Sequence, residues 1–228
     1  SSSYYRWMLF NSKVIIMKKI VVIIFLLIFA NLEMFSQNIG LNISEQSQVI
    51  REINKVATNL KSLTCEFIQI KHISLMNEEI ASKGRMYYSQ GNRLRWEYLS
   101  PYSYVFLLDG TTIFLKSVDK TDKIDIRNSK IFQEIARIMM NSVTGKCLVD
   151  TSDFDVSISN LNLEWKAQLV PQRKEMKQMF THICLYFDKS ANMIRKIELF
   201  EKSGDKTTIQ LKNIITNRSI DEDVFLID

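Results

Sequence analysis

Proline and glycine are scarce. The chain has 228 residues but only 2 Pro and 6 Gly, which excludes a long disordered stretch rich in those residues. Histidine is equally sparse, with His72 and His182 the whole supply. Each falls in a strand pattern, where a lone His reads as structural. No HExxH, GxSxG, GxGxxG or P-loop pattern occurs. Cys65, Cys147 and Cys184 match no zinc spacing. They read as buried small hydrophobes or as containing one disulfide, and the odd count leaves at least one free thiol. Asp119, Asp122 and Asp125 are interleaved with Lys120 and Lys123, so they read as a solvated turn rather than a calcium loop. Asp221, Glu222 and Asp223 read the same way. With no polar constellation, the sequence implies no enzyme, no metal and no organic cofactor.

One-sided charge is also missing. The formal net charge is +5, yet residues 1–36 hold Arg6, Lys13, Lys18 and Lys19 against Glu33 alone. Without them 26 basic residues face 24 acidic ones, a balance with little to offer a nucleic acid. Met17-Lys18-Lys19 followed by the apolar run 20–30 reads as an export signal, with Met17 the start of translation, residues 1–16 an upstream extension and Gln37 the mature N-terminus. The run is shorter than the roughly 20 residues that span a bilayer. No Cys follows it, so bacterial lipoprotein processing is not indicated. Residues 37–228 then form one soluble domain.

What is present is alternation. Asn42 and Glu45 have capping-box spacing, and Val49, Ile53, Val56 and Leu60 recur at helical period, predicting a helix over 44–60. Strand patterns follow at 63–75, 80–90, 93–98, 103–109, 112–118 and 123–127, with Asp109-Gly110 as a short-hairpin signal. A second amphipathic helix is predicted over 129–142. Ile131, Ile135, Ile138 and Met139 lie on its apolar face, and Met140 widens it. Strands return at 153–159, 163–170, 180–187, 193–201 and 206–216, with 171–178 as a connection. The order lacks strand–helix alternation, so the fold class is α+β and mainly β: an incomplete, half-open antiparallel barrel whose helices cover an apolar hollow. That hollow is either a packed core or a ligand cavity. Its candidate lining is Phe67, Tyr88, Leu94, Trp96, Tyr98, Phe106, Leu108, Ile183, Leu185, Ile197, Leu199, Ile209 and Leu211.

Several motifs carry a family likeness. They are Phe67-Ile68-Gln69, Gly84 to Tyr88, Asn92-Arg93-Leu94-Arg95-Trp96-Glu97-Tyr98-Leu99-Ser100-Pro101, Leu108-Asp109-Gly110, Phe187-Asp188, Gly204 to Thr207 and Phe225. With them the chain resembles the LolA family of outer-membrane lipoprotein carrier proteins across nearly the whole mature sequence. The resemblance implies a LolA/LolB-like fold and a monomeric periplasmic carrier. Its partners would be acylated lipoproteins or lipids, an inner-membrane release complex and an outer-membrane acceptor. It leaves open another envelope lipid or glycolipid as cargo, or a lipid-sensing regulator. It also implies a helical lid, here Ile131, Ile135, Ile138 and Met139. In the family's best-known form an Arg before the Trp strand holds that lid closed. Gln90-Gly91-Asn92 occupies that stretch here, so the latch is weaker or built from other residues.

The export reading predicts that N-terminal sequencing of protein from the envelope fraction finds residues 17–36 removed. Retention of the apolar segment in the membrane pellet is the opposite outcome.

Overall fold

A computed structural model describes residues 39–144, 146–149 and 152–227. The predicted export segment lies outside them. The chain divides into two units, residues 1–39 and 40–228, with a two-residue extended piece, Ile39–Gly40, at the boundary. The second unit begins with helix α1, Ile43–Thr58, whose Asn42 and Glu45 form the predicted capping box. Val49, Ile53 and Ala57 are its buried stripe. Gln46 anchors α1 by accepting a 3.0 Å bond from the Ile158 amide.

Eleven strands of this unit form one antiparallel sheet. They are β1 (Ser62–Ile73), β2 (Glu78–Ser89), β3 (Arg93–Ser100), β4 (Tyr104–Asp109), β5 (Thr112–Lys116) and β6 (Thr121–Asp125). After a gap come β7 (Phe154–Asn160), β8 (Glu164–Pro171), β9 (Phe180–Asp188), β10 (Met193–Glu201) and β11 (Lys206–Thr216). Their order is β7-β8-β9-β10-β11-β1-β2-β3-β4-β5-β6. The chain therefore starts in the middle of the sheet, winds out to β6, and returns from the other edge at β7. Pairing of β11 with β1 joins the two meanders, for example Leu211 with Phe67. Helix α2, Lys130–Thr144, lies in the connection between the two edges.

The predicted elements appear with shifted ends. Strand β6 lies at Thr121–Asp125 and is followed by a 3-10 turn, Ile126–Asn128, so its expected range of 123–127 ran too late. Asp125 caps that turn and pairs with Arg127. Residues 171–178 are not a plain connection. Pro171 ends β8 opposite Phe154, and a short helix α3, Lys174–Met179, follows. A proline at a strand end forfeits no central ladder bond. Six residues with the single buried Met176 are too few for a helical period to show. In the β4–β5 hairpin Gly110 supplies a φ of +61° at the first loop position, the role a two-residue turn gives glycine.

Each strand has two sides. The inner one forms the main core with the helices; the outer one is covered only in part. Residues after β11 fold back over the outer side of β3–β5, where Phe225, 2% exposed, packs with Val105 and Leu107. Arg93 lies 4.2 Å over the Phe225 ring and pairs with Glu222 at 2.6 Å, while Arg95 donates to the Val224 and Leu226 carbonyls. Truncating Phe225 to Ala should cost about 3 kcal/mol of unfolding free energy, read by urea denaturation. A change within about 0.5 kcal/mol would show that the tail is not part of the folded unit.

Candidate functional site

The thirteen residues proposed to line the hollow come together on the inner side. Cross-strand pairs join them: Ile183 with Leu199, Leu185 with Ile197, and Ile197 with Ile209. The set continues from Leu211 to Phe67, then across β2 through Tyr88 to Leu94, and on to Leu108, with Trp96 opposite Phe106. Eleven are buried; Tyr98 and Leu199 are half-buried. The period-two alternation of strands places them this way, because every second side chain faces the same side.

Aromatic rings organise the centre of the face. Phe67 and Trp96 have ring centroids 4.6 Å apart, and the Phe67 and Tyr98 rings meet edge-on at 5.2 Å. The Tyr98 hydroxyl donates to Gln69 Oε1 at 2.9 Å. Room for the Phe67 ring comes from Gly84, its partner on β2. A Cβ there would stand 2.4 Å from Phe67 Cζ and 2.0 Å from the Glu97 carbonyl oxygen. Burial raises the pKa of the Tyr88 and Tyr98 hydroxyls, the latter tempered by hydrogen bonds. Burial, with the nearby Glu66 carboxylate, pushes the Cys65 thiol up to about 12. These groups are uncharged at neutral pH, as an apolar face requires.

The helices cover the face. From α1 come Val49 and Ile53; from α2 come buried Ala136 and half-buried Phe132, Met139 and Met140. Ile131, Ile135 and Ile138 lie on the α2 backbone, but their side chains are outside the described residues. Where the end of α1, the β2–β3 turn and α2 meet, a cavity of about 170 Å³ remains, lined by Leu60, Tyr88, Gln90, Met140, Asn141 and Thr144. That is well below the roughly 300–1,000 Å³ of an ordinary small-molecule site. Among the described residues the face is thus filled by the protein's own side chains.

Gln90 fastens the β2–β3 turn to the residues that join α1 to β1. Its amide donates to the Lys61 carbonyl at 2.9 Å and its Nε2 to the Leu60 carbonyl at 3.3 Å. A charged contact to α2 comes from residues the sequence reading passed over. Arg137 of α2 pairs with Asp153, which is 3% exposed, and Arg173 Nε lies 2.5 Å from the other Asp153 oxygen. The signal was a lone Arg inside the run Ile135–Met140; its partner could not be read from the sequence. His182 sits on the outer side, stacked on Phe200 at 4.1 Å, and burial lowers its pKa. Cys65 and Cys184 are free and buried. The Cys147 side chain lies outside the described residues.

Gly84→Ala should destabilise the fold by about 1–3 kcal/mol through overpacking against Phe67 and the β3 backbone. Urea denaturation of the variant checks this, and an unchanged midpoint would mean that the ring is not pressed on Gly84.

Comparison with known proteins adds to this geometry. The family model "Outer membrane lipoprotein carrier protein LolA" matches residues 58–228. An outer-membrane lipoprotein carrier protein of Legionella pneumophila (strain Paris) is 26% identical over 205 residues, covering 89% of this chain and 91% of the relative. Among solved structures, an uncharacterized conserved protein from Thermus thermophilus is similar in fold. It has a TM-score of 0.52 at 11% identity, covering 80% of this chain and 94% of that one. A LolA superfamily protein from Nitrosomonas europaea gives 0.42 at 9% identity, covering 80% and 97%.

Proposed function

The chain belongs to the LolA family of outer membrane lipoprotein carrier proteins, and on that premise we propose that it is a periplasmic carrier that shields the acyl chains of lipoproteins between its inner sheet face and its helices while they pass from the inner to the outer membrane. Carriers of this family are periplasmic binding proteins. The observation that carries the reading is the continuity of the apolar face. It runs through β9, β10, β11, β1, β2, β3 and β4 without a charged residue among the thirteen positions.

The physics of the task fits a face that is filled when empty of cargo. Each buried methylene stabilises an acyl chain by about 0.8 kcal/mol, so a long chain crosses water only inside a dry enclosure. An enclosure that held it with that full energy would not let go. If α2 swings away as acyl chains enter, cargo replaces Phe132, Ala136, Met139 and Met140 on the same surface. One set of apolar contacts is exchanged for another, and the net affinity is moderate. The two methionines suit the exchange because unbranched thioether chains adapt to different packings. Gln90 then stays with the wall of the hollow, since its bonds run to Leu60 and Lys61, which lead into β1.

Trp96 tests the reading. In mature protein carrying Trp165→Phe, a long-chain fatty acid bearing an anthroyloxy fluorophore should quench Trp96 emission saturably. Mass spectrometry of lipid co-purified with the native protein should find acylated peptide. A co-purified glycolipid would redirect the cargo. No quenching at saturating probe, with no lipid bound, would refute the carrier.

A further inference from the structure

Among the described residues, three charged groups meet where α2 reaches the edge of the sheet, and they do not belong to the same piece of the protein. Asp153 immediately precedes β7, and Arg173 stands just before α3, after the end of β8. The two are locked together, because Phe154 pairs with Pro171 and the Gln172 amide donates to the Asp153 carbonyl at 2.8 Å. Arg137 comes from α2, sixteen positions before Asp153 along the chain, and bonds the second carboxylate oxygen. The carboxylate is nearly sealed from water, whereas the Arg137 and Arg173 side chains are 29% and 43% exposed.

We propose that this triad is the clasp of the lid: Arg137 closes α2 onto Asp153, and Arg173 is a resident counterion that keeps Asp153 paired when α2 departs. The inference rests on the reading of α2 as a lid over an acyl-binding face. Its logic is electrostatic. A buried carboxylate that loses its partner is strongly unfavourable, often more so than the pair was favourable. A clasp made of Arg137 and Asp153 alone would therefore resist opening. With Arg173 fixed beside the same carboxylate, the charge left behind is still compensated. The two guanidinium groups also repel each other in the closed state, which weakens Arg137's hold. Closure is thus charged but reversible, and it supplies on α2 the ionic latch that the uncharged Gln90 does not.

The counterion role predicts opposite effects from two chemically identical substitutions. Spin labels on Gln133→Cys in α2 and Ser157→Cys in β7, in a Cys147→Ser background, report the open and closed populations without any cargo. Arg137→Gln should raise the open-to-closed ratio about tenfold, the equivalent of about 1.4 kcal/mol. Arg173→Gln should lower it severalfold, because opening now strands Asp153. Arg137→Lys, which keeps the charge, should restore most of the closed population, and urea midpoints confirm that each variant is folded. A purely structural triad would loosen in both Gln variants. Shifts in the same direction, or no shift in either, would overturn the clasp. Distances in the unsubstituted triad that stay single and unchanged on adding the anthroyloxy fatty acid, although it binds, would remove the lid itself. Failure of that probe to bind would instead count against the carrier reading.

Discussion

Pairing of the last strand with the first organises the rest of the molecule. Once Lys206–Thr216 lies along Ser62–Ile73, the two meanders become one sheet, and the outermost of its eleven strands are β6 and β7. Those strands are joined only by the segment that carries α2. The chain must therefore span the sheet from one edge to the other. The short route runs over the inner face, and an amphipathic helix is the element that makes the crossing while burying that face. The cover of the hollow follows from strand order. Such pairing is remote in sequence, with Leu211 opposite Phe67, so loop-closure entropy opposes it until both hairpin systems exist.

The two sides of the sheet are secured differently. On the outer side of β3–β5 the C-terminal tail is held by Phe225, by Arg93 stacked on it, and by Arg95 bonded to two tail carbonyls. That wall is fixed by directional bonds as well as by burial. The inner cover rests mainly on apolar contacts, which are non-directional and can be exchanged for others of the same kind. Among the described residues its polar ties include Gln46 on α1 to β7 and Arg137 on α2 to Asp153. A rigid wall faced by an exchangeable cover is the arrangement a carrier needs.

Tight packing and openness are reconciled by what fills the space. The centre of the face is close-packed around Phe67, Trp96 and Gly84, whereas a void of about 170 Å³ lies against α2 and the β2–β3 turn. The packed part defines the surface, and the void marks the seam between that surface and its cover.

The sequence by itself determined the strands, both long helices and the membership of the inner face, because period-two and period-3.6 burial patterns are local properties of the chain. Leu94, Trp96 and Tyr98 alternate with Arg93, Arg95 and Glu97, and that alone assigns their sides. It also carried the capping box at Asn42 and the turn at Gly110. Helix α3 escaped notice because six residues give no period, and the end of β6 shifted because Asp125 serves a cap. Only the tertiary structure decided what the outer arginines do, why Gly84 must lack a side chain, and that Asp153 meets Arg137 and Arg173. Each depends on residues brought together from distant strands and helices. Charge pairing leaves no periodic trace in sequence, since a carboxylate and a guanidinium attract through space whatever their separation along the chain.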